Sequence, residues 1–371
     1  MADTRLSGIL NEGEETILRQ VGFEAPEARS ATAVLVDHTL RVAPAHADGV
    51  EILSIQDALM RYDFVQDLMF NMISADESEL LRQSAELLHD PIGHFVHVHP
   101  GVKLDRPIQT FTLMERPQER QFTHNITVIG EGAEVDIIAG AAVPQTVHTG
   151  HHVSIDEAYM HAGSSCRTVS VERWGRGMAV DSFARTHMAA GAQTVSNAIM
   201  LAPLRHHLSD SKTVLLDNAR ANDQSVIFAP EGSSRHFELE VRLAGPGARS
   251  EHVARMVSAG GSIINNNLLI GEAPDTSGFL GCDGLLLSND GEIIATPSLS
   301  AKSINAQLSH EASVGMIDSQ KLDYLMASGL GEDDARDLIV QGFLRLKDDT
   351  IPPEMRAAVR EMIAAAQSGG M

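Results

Sequence analysis

The stretch Gly132-Ala133-Glu134-Val135-Asp136-Ile137-Ile138 decides the fold, because similar stretches recur along the chain. A step of small residues comes before a short β-like run, and the same step recurs roughly every 27 to 31 residues. The other occurrences are Ala162-Gly163, Gly191-Ala192, Asn218-Ala219 and Gly247-Ala248. Small residues let the backbone turn tightly at corners, and stacked coils bury faces that one coil cannot bury alone. The sequence therefore predicts a right-handed parallel β-helix. A β-sandwich is the competing fold, but it does not explain the repeated interval.

The chain divides into three regions, and the predicted fold is mainly β with helical regions on both sides of the β core. Residues 1–90 form an N-terminal helical region, 91–312 the β-helix core, and 313–371 a C-terminal helical region. Ser54 and Asp57 resemble a capping box, and helical spacing continues from there to Met72. Asp318 is predicted to cap a C-terminal helix that ends at Gly329, a second follows from Glu332, and Pro352-Pro353 begins a third.

Composition excludes several classes of function. The chain has 28 Lys and Arg against 50 Asp and Glu, a formal charge of -22. Binding to nucleic acid or to an anionic membrane surface needs the opposite charge. Two cysteines exclude a disulfide framework and fit a reducing compartment. With neither a signal-peptide pattern nor a long apolar run, the expected location is cytoplasmic. Aromatic residues at 4% disfavour a site that stacks sugars or bases.

The candidate functional residues are Cys282, in Gly281-Cys282-Asp283-Gly284-Leu285-Leu286-Leu287, and the pair His310-Glu311, in Ser309-His310-Glu311-Ala312-Ser313-Val314-Gly315. A thiolate, an imidazole and a carboxylate can together hold iron or another transition metal. The alternative is three unrelated side chains in a sheet. Position 314 is valine, so the second histidine of a zincin motif is missing. The sequence also contains no P-loop, no Gly-x-Ser-x-Gly elbow and no Cys-x-x-Cys motif.

Histidines are numerous, at 17, and several are clustered. The clusters are His94/His97/His99, His148/His151/His152 and His206/His207. His97 and His99 are two residues apart, so they point to the same face of a strand and offer a possible ligand pair. The alternative is a solvent-facing or hydrogen-bonded row of histidines. Cys166 is expected to be a buried, inert thiol.

The segment from Gly281 to Phe343 resembles the SufB/SufD family of iron–sulfur cluster assembly scaffolds. Besides the two motifs above, the resemblance rests on Ala295-Thr296-Pro297, on Leu322-Asp323-Tyr324-Leu325-Met326-Ala327-Ser328-Gly329-Leu330 and on Ala335-Arg336-Asp337-Leu338-Ile339-Val340-Gln341-Gly342-Phe343. The family implies a parallel β-helix flanked by helices. It also implies that two core subunits pair, and that each binds a SufC-like ABC-type ATPase through its C-terminal helices. ATP would then be bound only by the partner.

The resemblance also assigns roles to the candidate residues. Cys282 and Glu311 fall on the Cys and Glu implicated in holding the nascent cluster in SufB-type subunits, and His310 falls on the His of SufD-type subunits. A chain that carries all three and is shorter than the usual SufB resembles a compact homodimeric scaffold. With two cysteines, a four-thiolate site within one subunit is impossible. The transient cluster therefore needs mixed ligands, a second subunit or an external thiol, and a cysteine desulfurase or another donor would supply sulfur.

Two other functions stay open at this stage. One is a carbohydrate-active enzyme on a β-helix, although abundant acidic residues are a weak signal for its paired carboxylates. The other is a cluster-free structural partner of an ATPase. The presence of Cys282 and Glu311 favours the cluster scaffold, which is not itself an enzyme.

Overall fold

A computed structural model of the chain describes residues 9–43 and 45–346. The helices are α1 (Glu12–Arg19), α2 (Ile55–Arg61), α3 (Asp63–Leu68), α4 (Glu79–Glu86), α5 (Ser319–Ala327) and α6 (Glu332–Phe343). The strands are β1 (Ala31–Val36), β2 (Thr39–Ala43), β3 (Val50–Ser54), β4 (His94–Val98), β5 (Ile108–Leu113), β6 (Gln121–Ile129), β7 (Glu134–Ala142), β8 (Thr149–Met160), β9 (Ser165–Arg173), β10 (Gly177–Met188), β11 (Gln193–Met200), β12 (His206–Leu215), β13 (Arg220–Pro230), β14 (Ser234–Leu243), β15 (Arg249–Ala259), β16 (Ser262–Gly271), β17 (Ser277–Leu286), β18 (Glu292–Ala301) and β19 (Gln307–Met316).

The strands form two long sheets, and the chain alternates between them from β4 onward. Sheet 1 has ten strands in the order β19-β17-β15-β13-β11-β9-β7-β5-β1-β2, and sheet 2 has nine in the order β18-β16-β14-β12-β10-β8-β6-β4-β3. From β4 and β5 onward, neighbouring strands are parallel. The predicted parallel β-helix is confirmed, as a solenoid of about eight turns.

The repeat seen in the sequence corresponds to one turn of this solenoid. Val135 pairs with Cys166, and Gln193 pairs with Arg220, so a turn takes roughly 27 to 31 residues. The repeated small steps are corners with left-handed backbone: φ is +64° at Gly132 and +56° at Asn218. Glycine and asparagine adopt this conformation more readily than other residues. Asp275 and Asn305 continue the series at φ of 58° and 59°, which the Gly-Ala pattern had not included.

The N-terminal region contains strands as well as the predicted helices. Ser54 caps α2, and its side chain accepts a hydrogen bond from the backbone N–H of Asp57, as expected. The helical spacing that continues to Met72 forms two short helices instead of one, because Tyr62 has an extended backbone. β1, β2 and β3 precede α2 and begin the two sheets.

The outer face of sheet 1 carries a core shared by the two ends of the chain. Leu18 of α1 and Val340 of α6 belong to the same buried cluster as Val169, Val226 and Leu285. Asp318 caps α5, and Gly329 follows that helix with a φ of +98°, as predicted. The helix predicted from Pro352-Pro353 lies outside the described residues. Within the described ranges, every helix is too short or too polar to cross a membrane.

Candidate functional site

The candidate residues lie in the last turn of the solenoid. Cys282 is on β17, and His310 and Glu311 are on β19, the edge strand of sheet 1. The register pairs Leu280 with His310 and Gly281 with Glu311. Two motifs separated by almost 30 residues are therefore on adjacent strands, about 4.8 Å apart.

Cys282 points into the solenoid, where it is 0% exposed and packs with apolar residues of both sheets. Two amides of β16, in sheet 2, reach its sulfur: Asn265 Nδ2 donates over 3.5 Å and Asn267 Nδ2 over 3.3 Å. Burial raises the pKa of the Cys282 thiol, and the two amides oppose that shift because they stabilise the thiolate. The thiol is therefore protonated at neutral pH in this closed arrangement.

The three candidate side chains do not all share one face of the sheet. Paired residues on parallel strands project to the same side, and successive residues alternate. His310 therefore lies on the inward face with Leu280 and Cys282, whereas Glu311 lies on the outward face. Both are exposed, because β19 is a terminal strand. Among residues 9–43 and 45–346, these three side chains do not bring their ligand atoms together as a metal cluster.

The interior next to Cys282 contains polar groups that the sequence reading had missed. Four paired residues lie side by side on neighbouring strands of sheet 1, in the order Asp223, His252, Leu280 and His310. Burial raises the pKa of Asp223 to about 7 and lowers the pKa of His252 to about 4. Neither residue stood out in the sequence. The run Asn265-Asn266-Asn267 within a strand was the one available signal, since asparagine is unfavourable in strands.

The other thiol and several clustered histidines have structural environments. Cys166 on β9 is buried, and burial raises the pKa of its thiol to about 11, in agreement with the expected inert thiol. His151 contacts Asp181 over 2.5 Å, and burial lowers the pKa of His152 to about 4 and that of His207 to about 3. These histidines match the hydrogen-bonded alternative rather than a row of ligands. His97 and His99 share one face, as predicted, with ring centroids 4.7 Å apart.

The end of the solenoid beyond β17 is open. β18 and β19 terminate the two sheets, and within the described parts of the chain nothing pairs with their outer edges. Several apolar side chains of these strands are exposed. They are Ile294, Leu299, Val314 and Met316. Exposed edges and exposed apolar side chains together mark an interaction surface.

The C-terminal helices α5 and α6 also carry exposed apolar side chains. Tyr324 and Met326 of α5 and Leu338 of α6 are exposed. The first turn of α6 carries three exposed acidic residues, Glu332, Asp333 and Asp334. On its inner side, α6 is held against the solenoid by Val340.

Comparison with known proteins decides the family. Residues 111–343 match the family model described as SUF system FeS cluster assembly, SufBD core domain. The chain belongs to the SufBD family. This match contains the three candidate residues, helices α5 and α6 and almost all of the solenoid from β5 onward. SufBD membership makes the chain an iron–sulfur cluster assembly protein and supports that function over a carbohydrate-active enzyme.

Curated SufBD proteins match over most of the chain. An iron–sulfur cluster assembly SufBD family protein of Archaeoglobus fulgidus is 32% identical over 94% of this chain and 94% of its own length. A protein with the same family name from Methanothermobacter thermautotrophicus is 29% identical over 99% of this chain and 90% of its own length. One from Pyrococcus horikoshii is 28% identical over 87% of this chain and 72% of its own length.

Proposed function

We propose that this SufBD protein is a non-catalytic scaffold that holds a nascent iron–sulfur cluster at the last turn of its solenoid. Cys282, His310 and Glu311 are the proposed ligands, and the cluster is cargo that is built and passed on. The observation that carries the proposal is the register of β17 and β19, which puts the strand of Cys282 next to the strand that carries an exposed imidazole and an exposed carboxylate. Thiolate, imidazole and carboxylate are all iron ligands.

The ligand set fits temporary storage. Four thiolates bind a cluster firmly, whereas a mixed set with one thiolate per chain binds it less firmly and favours release. Cys282 is also the proposed sulfur acceptor. Its thiolate attacks the outer sulfur of a donor persulfide, such as that of a cysteine desulfurase. The sulfur–sulfur bond of the donor breaks, the donor leaves as a thiol, and Cys282 becomes a persulfide.

The closed arrangement implies that the site must open before it loads. Cys282 is fully buried, and Glu311 faces away from it. Because β19 is an edge strand and pairs only with β17, it can move with the loss of fewer pairings than an internal strand of sheet 1. We expect a displacement of β19 to expose the sulfur and to turn Glu311 toward it. Movement of bound ATPase subunits would drive this displacement.

A second copy of the chain completes the proposed site. The open edges of β18 and β19 and their exposed apolar side chains fit a symmetric partner, which would bring a second Cys282 set to the same place. The exposed surface of α5 and α6 is the proposed docking site for a SufC-like ATPase, which alone binds ATP. This assembly is expected to work in the cytoplasm.

Anaerobic reconstitution with iron and sulfide tests the scaffold role. With the ATPase and ATP present, the wild type is expected to develop visible thiolate-to-iron absorbance, Cys282→Ser to lose most of it, and Cys166→Ser to retain it. Cys166 is a matched control, because it is also buried in a solenoid strand but eight strands earlier in chain order. Equal colour in the wild type and in Cys282→Ser would contradict the role of Cys282.

A second candidate function is a cluster-free structural partner of an ATPase. The complete burial of Cys282 and the outward position of Glu311 favour it. In that case the well-folded wild type would bind the ATPase through α5 and α6 but would stay colourless on reconstitution with and without the ATPase.

A further inference from the structure

A second group of metal-ligand side chains lies at the opposite end of the solenoid. Glu51 of β3 pairs directly with His97 of β4, and His99 follows two residues later. Side chains that face each other across an antiparallel pair share one face, and so do residues i and i+2 of a strand. The ligand atoms of Glu51, His97 and His99 all lie within 4.8 Å of one another.

These three groups converge without hydrogen-bonding to each other. Glu51 Oε2 is 3.9 Å from His97 Nδ1 and 3.8 Å from His99 Nε2, distances too long for hydrogen bonds. His97 Nδ1 is buried and has no hydrogen-bond partner. Native structures contain few buried polar atoms without a partner, and an ion or water is a common explanation for them. The arrangement therefore points to a ligand between the three side chains.

The surroundings hold the three groups in place. Arg61 contacts Glu51 Oε1 over 3.1 Å, and the Tyr62 hydroxyl donates to Glu51 Oε2, so the carboxylate has a fixed orientation with a second lone pair of Oε2 free for a metal. The ring of His97 packs among Tyr62, Phe64 and Phe95. The backbone N–H of His99 donates to the carbonyl of Gly49, the residue before β3, over 2.8 Å. Such outer partners orient metal ligands and strengthen them.

We propose that Glu51, His97 and His99 bind one divalent first-row transition metal, with Zn(II) or Fe(II) as the occupant. Two imidazoles and one carboxylate form the ligand set of open zinc sites and of non-haem Fe(II) sites. With bonds of about 2.1 Å, ligand atoms around a tetrahedral ion stand about 3.4 Å apart. The Glu51 oxygen is 3.9 Å from His97 Nδ1 and 3.8 Å from His99 Nε2, so the side chains have to move closer together to bind a tetrahedral ion. The His99 side chain is 47% exposed, which leaves the remaining coordination positions open to solvent.

This site is separate from the one at Cys282. β4 is six strands from β16, the strand of sheet 2 that contacts Cys282, or roughly 29 Å at about 4.8 Å per strand. The three ligands are nitrogen and oxygen donors only, and the proposal does not depend on the cluster-scaffold role. Metal bound here therefore differs from cluster iron in position, ligands and response to mutation.

Direct titration of the tag-free, chelator-treated full chain tests the proposal. Zn(II), and separately Fe(II) under anaerobic conditions, are titrated into the wild type, His99→Gln, Glu51→Gln and two controls. His89→Gln is an exposed histidine outside the group, and Cys282→Ser removes the thiol of the other site. One ion per chain is expected in the wild type and both controls, with micromolar or tighter affinity for at least one metal. Binding should weaken by at least about 10-fold in His99→Gln and Glu51→Gln.

X-ray absorption supplies a second readout that is independent of affinity. The bound Zn(II) is expected to show nitrogen and oxygen neighbours only. A sulfur neighbour would overturn the proposal, as would equal affinities of the wild type and His99→Gln for both metals. Chemical unfolding of each variant identifies a misfolded protein, and His99→Gln is the decisive variant because its side chain is the most exposed of the three.

Discussion

Asn267 donates a hydrogen bond to the sulfur of Cys282 over 3.3 Å, from the opposite sheet of the solenoid. Its own Oδ1 is buried without a hydrogen-bond partner, so the amide is retained at a cost in stability. A neutral thiol is a weak acceptor, whereas a thiolate or a persulfide anion accepts strongly. The amide of Asn267 therefore stabilises the sulfur most when the sulfur is negatively charged, which is the state that a scaffold needs.

Replacing Asn267 with leucine is expected to raise the pKa of the Cys282 thiol further, because a donor to the thiolate is lost. The measurement is the pH dependence of alkylation in a Cys166→Ser background, and the rate profile should move to higher pH. Asn266→Leu is the control, since Asn266 donates instead to Glu238. Identical profiles for Asn267→Leu and Asn266→Leu would show that the amide does not act on the sulfur.

Both thiols of the folded chain are expected to resist thiol reagents. Cys166 and Cys282 are buried, and burial raises the pKa of each thiol. Reaction with a disulfide reagent should be at least on the order of 100-fold slower than in guanidinium-unfolded protein. If β19 opens the site, adding the ATPase with ATP should accelerate labelling of Cys282 alone. Fast labelling of Cys282 in the isolated chain would contradict the closed arrangement.

A lysine at position 314 is expected to weaken the proposed homodimer. Val314 is exposed on the edge strand β19, and a charge there must be desolvated when two edges pair. Analytical ultracentrifugation should show more monomer, with the dissociation constant of the dimer raised by at least about 10-fold. Met60→Lys is the control, because Met60 is 79% exposed on α2, at the other end of the solenoid. A dimer unaffected by Val314→Lys would exclude this edge as the interface.

Asp223 is expected to make the chain less stable as pH rises. Burial raises its pKa to about 7, above the ordinary value of about 3.9. The folded chain thus keeps a proton that the unfolded chain releases between about pH 4 and pH 7, and stability is lost through that window. Asp223→Asn should increase the free energy of unfolding at pH 8 by about 1 to 4 kcal/mol.

Urea unfolding from pH 5 to pH 8 measures this effect. Once Asp223 is replaced, the buried His252 still contributes to the pH dependence of stability, with the opposite sign. Burial lowers the pKa of His252 to about 4. The folded chain therefore loses stability as pH falls from about 6.5 toward 4. Asp290→Asn, an exposed carboxylate in the loop before β18, is the control and should keep the wild-type profile. An Asp223→Asn profile parallel to the wild type would contradict the raised pKa.

The parts of the fold with a periodic signal could be predicted from the sequence. The corners at Gly132 and Asn218 need a left-handed backbone, which few residue types supply, so they mark the repeat. Asp275 and Asn305 have the same conformation but lie outside the Gly-Ala pattern, because other short polar residues also tolerate it. Capping side chains such as Ser54 and Asp318 were recognisable for a similar local reason.

The arrangement of the candidate site could not be predicted in the same way. Adjacent positions of β17 and β19 face opposite sides, so the separation of Cys282 from Glu311 depends on a register that the sequence does not specify. Asn267 reaches Cys282 from another sheet, and no local pattern indicates that contact. His97 and His99 were recognisable as a pair because they are on one strand, but Glu51 joins them through antiparallel pairing with a distant segment.

The antiparallel strands at the first end of the solenoid have a consequence for assembly. β2 runs opposite to β1, and β3 runs opposite to β4, so each sheet starts with a reversed strand and ends with a strand in the common direction. Head-to-tail stacking of copies would have to continue a parallel ladder across a reversed strand. A copy added head to tail would therefore have to change from parallel to antiparallel pairing at the junction. The reversed strands thus act against extension of the parallel ladder from one copy to the next, which is consistent with the symmetric pairing proposed above.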